Sequence, residues 1–394
     1  MNNIDKGQSP FFPGQPVPVD LFIGRKKEIE RITRSLNQIG YGRQKALFLI
    51  GEYGIGKSSL AVFVKKNAEI NNRLLGIYVL LGRIKDLNGL ATKTVEVVIR
   101  EGIYQPTLSE KIRDFLSKYI GKQDLFGITI NFEALKRDGP DISKGFLPFL
   151  KELYFRVKDS GIKGIMLIFD EINGISANPD FAYFIKSLVD ENAVSSEPLP
   201  LMLMLCGVEE RREEMIRNHR PVERIFDIVE IREMNESEME EFFIKAFGSV
   251  NITVMEEALE LLIRYSAGFP KIMHIIGDET FWIDSDNIID KNDALSGIVR
   301  AAEEIGRKFV DHHVYKALRS KDYQSILKKL GKEPFVLTFS KNEIEKKLTP
   351  SEKKKFNNFL QRMKKLNVLR SGDSRGEYVF TSSLVRLYIL LNSL

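Results

Sequence analysis

The sequence has few of the residues that build disulfides and transition-metal sites. Cys206 is the single cysteine among 394 residues, so the chain cannot form an internal disulfide. Two of the four histidines, His312 and His313, are adjacent, which is poor geometry for chelating a metal on any element. We therefore expect a protein without a disulfide and without a transition metal.

Long apolar runs are also missing. No stretch reaches the roughly 18 residues that a membrane helix needs, and the first residues lack the charged start and apolar run of a signal peptide. Apolar residues make up 43% and charged residues 29% of the chain, as in soluble globular proteins. These features predict a cytoplasmic protein with no membrane partner, and its length predicts two or three domains.

The net charge of +5 is unevenly distributed. From Asp311 to the end there are 18 Lys and Arg against 8 Asp and Glu, whereas the first 310 residues contain 41 against 46. A basic C-terminal third predicts a separate domain with a polyanionic partner. The alternative is a solvated lysine-rich surface that has no partner.

Short apolar runs alternate with helix-like blocks from Leu21 to about residue 233. Continuous apolar strands separated by helices are typical of a parallel sheet covered on both faces. Such sheets bind ligands at the carboxyl ends of their strands. The predicted strands are residues 45–50, 75–81, 165–169, 199–206 and 226–231. The predicted helices between them are residues 58–66, 91–100 and 146–158, with an amphipathic segment at 111–119 and a hairpin at 125–132.

After residue 231 the strand-like runs stop. Residues 235–247, 254–266, 270–282 and 292–318 have the pattern of helices. Asn235, with Glu238 three residues later, is typical of a capping box at the start of the first of them. A helical domain is therefore predicted to follow the sheet domain.

Residues 51–58, GEYGIGKS, fit the phosphate-binding pattern G-x-x-x-x-G-K-[ST], the Walker A motif. The glycines let backbone N–H groups turn toward phosphate oxygens, and the next helix points its positive end at the anion. Lys57 is expected to reach the β and γ phosphates, and Ser58 to ligate Mg²⁺. The alternative is a glycine turn with an incidental lysine. The predicted nucleotide-binding residues are Gly51, Glu52, Tyr53, Gly54, Ile55, Gly56, Lys57, Ser58 and Ser59.

Asp170 and Glu171 directly follow the third apolar run, as in a Walker B motif. The strand would bring Asp170 to the sheet edge, where it can hold Mg²⁺ through water, while Glu171 can polarise the attacking water. Adjacent carboxylates repel unless a cation lies nearby, and Mg²⁺ supplies that charge. The pair is predicted to be catalytic, together with Lys57.

These residues resemble the AAA+ superfamily, specifically the branch of origin-recognition and replication-initiator ATPases and the related archaeal-type signalling ATPases. Phe22, Ile23, Gly24 and Arg25, followed by Glu28, resemble the F-x-G-R-x-x-E box that packs against adenine in that family. The resemblance implies ATP as the cofactor. It also implies an α/β fold, a parallel P-loop sheet sandwiched by helices, followed by a helical lid domain and a winged-helix domain. The predicted parts are residues 1–20 (an extended lead-in), 21–233, 234–318 and 319–394.

Three further family positions are less regular here. The fourth strand usually ends in a polar residue that senses the γ-phosphate, but this sequence has Cys206, which is either a sensor or core. Gly268-Phe269-Pro270-Lys271 resembles the second sensor, with Lys271 in place of an arginine that would offer a bidentate fork.

An arginine finger, presented to a neighbouring subunit, normally precedes the fifth strand in this family. Arg220 and Arg224 stand there and are the implied catalytic arginines, with Arg211 and Arg212 as lesser candidates. The alternative for each is a solvated surface arginine. A finger would stabilise transition-state charge and would make hydrolysis depend on a homo-oligomer.

Residues from about 320 have the pattern of a winged helix. Ser340 with Glu343, and Thr349 with Glu352, predict two capping boxes, the second with Pro350 at the first helical position. In the second helix Phe356, Phe359, Leu360, Met363 and Leu366 share one face. The predicted DNA-binding residues are Lys354, Asn358, Gln361, Arg362 and Lys365 on the opposite face, and Arg375 in the turn of a hairpin formed by residues 368–370 and 377–380.

Three functions fit these features. The first is an ATPase that binds double-stranded DNA under nucleotide control, which would also place it at the nucleoid. The second is a signalling or defence ATPase that oligomerises on a protein partner, with the winged helix as an adaptor. The third is a nucleotide-binding scaffold that does not hydrolyse ATP. Salt-dependent DNA binding separates the first two, and turnover of a Glu171 variant tests the third.

Overall fold

The structure is a computed structural model. It describes residues 7–104, 142–316, 318, 320–333, 336–372 and 374–393. The predicted amphipathic segment 111–119 and hairpin 125–132 lie outside the described residues. The chain divides into two compact units, a nucleotide unit of residues Pro16–Arg232 and a C-terminal unit that combines Met1–Gln15 with Glu233–Leu394.

The nucleotide unit contains a five-stranded parallel sheet, as predicted. Its strands are β1 (Lys45–Ile50), β2 (Leu74–Leu80), β3 (Gly164–Asp170), β4 (Leu201–Gly207) and β5 (Asp227–Glu230). The order in space is β2-β3-β4-β1-β5. Every residue of β3 and β4 is buried, which explains why their sequences are apolar throughout. Since β4 lies between β1 and β3, the carboxyl ends of these strands are neighbours.

Helices flank this sheet. They are α1 (Lys26–Ile39), α2 (Lys57–Asn72), α3 (Leu87–Tyr104), α4 (Ile142–Val157), α5 (Pro179–Ala193) and α6 (Glu209–Asn218). The helix predicted at 58–66 continues to Asn72 and ends where Arg73 adopts φ 55°. Helices α5 and α6 were not predicted. A start signal for α5 is present, because the Asn178 side chain accepts a hydrogen bond from the Asp180 N–H at 3.0 Å and Pro179 is the first helical residue.

The C-terminal unit begins with four helices, α7 (Glu236–Gly248), α8 (Glu256–Ser266), α9 (Pro270–Ile283) and α10 (Lys291–Ile305). Two short strands, β6 (Thr253–Val254) and β7 (Ile288–Ile289), pair in parallel between them. The capping box predicted for α7 is confirmed, since Asn235 and Glu238 exchange side-chain to backbone hydrogen bonds of 3.0 and 3.1 Å.

The helix predicted for residues 292–318 is present from Lys291 to Tyr315, but its type changes within that range. The α-helix ends at Ile305 and the chain continues as a π-helix over Gly306–Tyr315. The Tyr388 ring packs against Gly306, where a Cβ would lie only 2.2 Å from its Cδ2 atom, and the Tyr388 hydroxyl donates to Asp311 at 3.0 Å. This packing from a distant part of the chain accompanies the change of helix type.

The rest of the unit is a compact helix and hairpin arrangement. Its elements are α11 (Lys321–Gly331), β8 (Thr338–Ser340), α12 (Lys341–Lys346), α13 (Pro350–Lys365), β9 (Leu369–Ser371), β10 (Glu377–Phe380) and α14 (Ser383–Leu391). The strands pair antiparallel in the order β8-β10-β9, so the predicted hairpin is present.

The two capping boxes predicted here have opposite outcomes. The one that pairs Thr349 with Glu352 at the start of α13 is confirmed. The one that pairs Ser340 with Glu343 is wrong, because the Ser340 side chain makes no cap hydrogen bond. Ser340 is the last residue of β8 and pairs with Glu377, so the strand uses its backbone.

The amino-terminal segment differs from the extended lead-in predicted for residues 1–20. Phe11 is 4% exposed, and its ring packs 4.9 Å from the ring of Phe247. A Cβ at Gly277 would lie 2.3 Å from the Phe11 ring, so glycine is needed there. Farther along, Val19–Leu21 forms a 3-10 turn. Pro10 and Phe11 are thus buried in the C-terminal unit, while residues 13–15 beside them are exposed.

Candidate functional site

The loop between β1 and α2 has the backbone conformation of an anion cradle. Gly54 and Gly56 have φ values of 81° and 98°, which favour glycine. At Gly51 a Cβ would lie 2.7 Å from the Ile231 carbonyl oxygen, so a side chain has no room. Helix α2 begins at Lys57, and its first N–H groups have no partner within the helix. The loop therefore offers backbone donors at a positive helix end.

Lys57 is half-buried beside this loop. Its ammonium donates to the carbonyl oxygens of Gly51 at 2.7 Å and Glu52 at 2.8 Å, and lies 5.5 Å from the centre of the Tyr53 ring. Burial lowers the pKa of Lys57, and the nearby carboxylate of Asp170 opposes that shift. The electrostatic coupling between Lys57 and Asp170 shows that the structure brings the two predicted motifs together.

Asp170 is the last residue of β3 and is only 1% exposed. Its carboxylate accepts hydrogen bonds from the Tyr78 hydroxyl and, at 2.8 Å, from the Glu171 N–H. Burial raises the pKa of Tyr78, the Asp170 charge adds to that shift, and Ser58 opposes it. Tyr78 therefore donates to one predicted Mg²⁺ ligand, Asp170, and lies near the other, Ser58.

The sequence motifs did not indicate Tyr78, although a signal was present. It carries the one side-chain hydroxyl of β2, whose sequence LLGIYVL is otherwise apolar. The pairing of Leu80 with Asp170 places the ends of β2 and β3 side by side. A polar side chain near the carboxyl end of a buried parallel strand is a candidate site residue.

Glu171 lies on an exposed turn just past the strand end. Its φ of 53° is in the left-handed region, which costs a non-glycine residue about 1 kcal/mol. One carboxylate oxygen, Oε2, lies beside Gly82, where a Cβ would come within 2.8 Å of it. The Glu171 carboxylate is thus exposed next to Asp170.

Cys206 is fully buried on β4, where it pairs with Leu49 of β1. Burial raises the pKa of its thiol well above the ordinary value, and the negative charge of Asp170 raises it further. The side chain is therefore a neutral thiol, which is a weak hydrogen-bond donor. Its position is that of a core residue next to the site.

The predicted adenine box contacts the phosphate loop. Arg25 is 4% exposed with φ 60°, and its guanidinium donates to the carbonyl oxygens of Arg232 and, at 3.0 Å, of Ile55. The Phe22 ring stacks on Phe63 of α2 at 4.7 Å. Of the other box residues, Ile23 is partly exposed and Gly24 is buried. Near the same helix, Ser59 Oγ accepts a hydrogen bond from the Val17 N–H at 3.3 Å.

The predicted arginine finger and second sensor are surface residues. Arg220 and Arg224 are exposed on the 3-10 turn Arg220–Ile225, which directly precedes β5. Lys271 is exposed in the first turn of α9 in the C-terminal unit. Their roles stay predictions.

The predicted DNA-binding residues lie on the exposed side of α13. Phe356, Phe359, Leu360 and Met363 are buried on its other side. Two nearby lysines are engaged locally, since Lys355 pairs with Asp322 at 2.6 Å and Lys364 contacts Ser371 at 2.8 Å. The exposed predicted residues are Lys354, Asn358, Gln361, Arg362 and Lys365 of α13, and Arg375 in the β9–β10 turn.

Two further observations concern metals and membranes. The part of the chain that the structure describes has no cluster of three or more His, Cys, Asp or Glu side chains able to hold a metal ion. A Mg²⁺ site built from one hydroxyl, one carboxylate and phosphate oxygens needs no such cluster. Among the same residues, no helix has the length and apolar character required to cross a membrane.

Comparison of sequences gives one family match. Residues 18–97, which contain the adenine box, the phosphate loop and the first two strands, match the family of BREX system ATP-binding proteins BrxC/D. No curated protein matches the chain.

Comparison of folds gives several matches along most of the chain. The Walker-type ATPase PABY2304 of Pyrococcus abyssi has a TM-score of 0.58 at 19% identity, over 93% of this chain and 96% of that one. The ORC2 protein of Aeropyrum pernix has a TM-score of 0.56 at 13% identity, over 97% and 95%. Cdc6p from Pyrobaculum aerophilum has a TM-score of 0.51 at 8% identity, over 96% and 98%. The resemblance seen in the motifs is thus confirmed, and the chain has the fold of AAA+ P-loop ATPases of the origin-recognition type.

Proposed function

We propose that this chain hydrolyses ATP with Mg²⁺ and uses its nucleotide state to control DNA binding by its C-terminal part. The observation that carries the proposal is the meeting of the phosphate loop, Ser58 and the Asp170-Glu171 pair at the carboxyl edge of one parallel sheet. The family match is to ATP-binding proteins. The similar ORC2 structure is of complexes with ADPNP and ADP.

The residues present fit this cofactor. Backbone N–H groups of residues 54–57 and the Lys57 ammonium would hold the phosphates, and the box formed by Phe22, Ile23, Gly24 and Arg25 would hold the adenine. Ser58 and Asp170 would hold Mg²⁺, which supplies positive charge to the phosphate oxygens when bound. Glu171 orients the attacking water and accepts its proton. Tyr78 keeps the Asp170 carboxylate oriented toward Ser58.

Hydrolysis is proposed to depend on self-assembly. Arg220 or Arg224 would reach the nucleotide of a neighbouring copy and stabilise the transition-state charge. Both arginines are exposed on a short turn, which suits an intermolecular role. Lys271, exposed at the first turn of α9, would act as the second sensor of the same chain.

The C-terminal elements support the DNA-binding part of the proposal. The order α11, β8, α12, α13 and the β9–β10 hairpin is that of a winged helix, with α13 as the recognition helix and the hairpin as the wing. Residues from Asp311 onward carry an excess of about 10 positive charges. The polar and cationic side chains on the exposed face of α13 suit phosphate and base-edge contacts.

A titration of DNA binding tests this function. A fluorescent duplex of about 30 base pairs is titrated with the full chain at several salt concentrations, with a slowly hydrolysed ATP analogue and Mg²⁺ or with ADP and Mg²⁺. We expect the binding constant to fall steeply with salt, and to differ at least about tenfold between the two nucleotides. Absence of DNA binding at low salt would refute DNA control.

The family match favours a second candidate function. The matched family belongs to BREX systems, so a defence ATPase that assembles on a protein partner is the alternative. In that case α13 would be a protein adaptor, and the chain would self-associate with ATP while leaving the duplex unbound. Light scattering with ATP and with ADP, run beside the DNA titration, separates the two functions.

A further inference from the structure

The end of β4 lacks the polar side chain expected beside a γ-phosphate. Cys206 is a buried neutral thiol, and Gly207, the last residue of the strand, has no side chain. A Cβ at Gly207 would lie 3.1 Å from Ile172 and 3.6 Å from the Arg211 Cβ, so Arg211 of α6 is a neighbour of the strand end. The first residue with strong donors after the strand end is thus Arg211.

Arg211 is held by the loop that follows the Asp170-Glu171 pair. One of its terminal nitrogens donates to Glu214 Oε1 at 2.5 Å. The other oxygen of Glu214 accepts from the hydroxyl of Ser176 at 2.7 Å, and Ser176 is fully buried in that loop. Glu214 therefore connects the Arg211 guanidinium to the loop that follows the catalytic strand end.

Arg211 is also influenced by the phosphate loop. The hydrogen bond to Glu214 raises the pKa of Arg211, and Tyr53 adds a smaller effect in the same direction. The Tyr53 ring in turn lies 5.5 Å from the Lys57 ammonium. The Nε–H of Arg211 is buried and, within the described residues, has no hydrogen-bond partner. Burying a hydrogen-bond donor without an acceptor costs free energy. The unpaired Nε–H of Arg211 therefore points to an anionic ligand near the phosphate loop.

We propose that Arg211 contacts the γ-phosphate of the nucleotide bound to its own chain, and so takes the sensing role that Cys206 cannot fill. The inference rests on the proposed ATP site and opposes a role for Arg211 as a finger in trans. A guanidinium presents several coplanar donors to phosphate, so the contact would favour ATP over ADP.

The first test measures nucleotide discrimination. We expect R211A to weaken binding of a slowly hydrolysed ATP analogue about tenfold while ADP binding stays unchanged, as measured by calorimetry on the full chain with Mg²⁺. R211K keeps the positive charge but loses the bidentate geometry of the guanidinium. It should therefore retain only part of the preference for the ATP analogue over ADP. R217A is the matched control, because Arg217 is exposed on the same helix and pairs with Glu213.

The second test separates action in cis from action in trans. R211A is mixed with E171Q, which keeps Arg211 but lacks the proposed base, and turnover is measured. Action in cis predicts no recovery above the sum of the two variants. Recovery toward the wild-type rate would mean that Arg211 of one copy serves the site of another, and would overturn the assignment.

The outcomes also separate this assignment from the proposed function. If the wild type binds no ATP, the proposed function fails. If the wild type binds and hydrolyses ATP while R211A and R211K keep the wild-type ratio of ATP to ADP affinity, the Arg211 assignment alone fails.

Discussion

Lys57 and the cations of α13 are both candidates for phosphate recognition, but the two units hold them differently. Lys57 is half-buried, donates to two backbone carbonyls and has a pKa lowered by burial. Lys354, Arg362 and Lys365 are exposed on a helix surface. The phosphate loop is therefore suited to bind one phosphate group in one fixed geometry. The exposed charges of α13 are instead suited to attract a polyanion through interactions that salt weakens.

The supports of the two surfaces differ as well. Glycines of left-handed φ and a parallel ladder hold the phosphate loop. Helix α13 depends on its amino-terminal cap, where the buried Glu352 accepts from Ser325 and Lys329, both at 2.6 Å. Burial raises the pKa of Glu352, but these hydrogen bonds outweigh it and lower the pKa to about 2. The helix is thus well anchored although its outer face is solvated.

The largest expected effect on ligand binding is at Lys57. K57A should reduce ATP affinity at least about 100-fold, because a charge-assisted contact to phosphate inside the loop is lost. Isothermal calorimetry with Mg²⁺ measures the change. K66A is the control, since Lys66 is exposed on the same helix. Tight ATP binding by K57A would remove the distinction between the two surfaces.

The second prediction concerns the catalytic role proposed for Glu171. E171Q should lower turnover by a factor of about 10² to 10⁴, since a positioned general base contributes that much. ATP affinity should change little, because the amide replaces a group that does not hold phosphate. Turnover is measured by phosphate release. Equal rates for E171Q and wild type would favour the scaffold that does not hydrolyse ATP.

The C-terminal unit should respond to acid through His274. Burial lowers the pKa of His274 to about 4, and its Nδ1 accepts from the Phe12 N–H at 3.2 Å. In the unfolded chain the pKa is about 6.5, so the unfolded state binds a proton between these values. Stability should therefore fall as the pH drops from about 6.5 to 4, by up to about 3 kcal/mol.

Trp282 measures that loss selectively, because it is the single tryptophan and lies in α9 of the same unit. Denaturant unfolding followed by its fluorescence at pH 7 and pH 4.5 gives the difference in free energy of unfolding. H274Q should show a smaller difference. An unchanged pH dependence in H274Q would show that other groups cause it.

Removing charge from the α13 face should have a smaller effect. The double variant K354A/R362A should weaken DNA binding about tenfold and reduce the slope of log K against log salt by about 2, one phosphate contact per residue. K355A is the matched control, because Lys355 is on the same helix but pairs with Asp322. An equal loss in K355A would mean that only overall charge matters.

The smallest expected effect is at Tyr78. Y78F removes the hydroxyl that donates to Asp170, and one hydrogen bond is worth about 1 kcal/mol. The Mg²⁺ concentration that half-saturates nucleotide binding should therefore rise about fivefold. ADP binding without Mg²⁺ serves as the control. An unchanged Mg²⁺ requirement would leave Tyr78 a packing residue.

Reasoning from sequence succeeded where the signal is local. The phosphate loop and Asp170-Glu171 are contiguous motifs, and the apolar runs predicted all five strands of the nucleotide unit. Tyr78 could not be assigned from its own strand, because its role depends on β2 lying next to β3. The electrostatic effect of Tyr53 on Arg211 likewise depends on two segments that are more than 150 residues apart in the sequence.

The failed predictions have the same physical origin. The helical period of the sequence predicted a helix through Gly306 but not its change to a π-helix, which accompanies packing against Tyr388 of α14. Ser340 and Glu343 have the sequence spacing of a capping box. However, Ser340 pairs with Glu377 in the sheet, and its side chain makes no cap hydrogen bond. Helix α6, EERREEMIRN, was missed because most of its residues are charged and it has hardly any apolar stripe.

The most direct measurement is a crystal structure of E171Q with ATP and Mg²⁺. Density for a triphosphate along residues 51–58, with a metal between Ser58 and Asp170, is the predicted result. A loop without nucleotide at saturating ATP, or a nucleotide bound elsewhere in the molecule, would contradict the account.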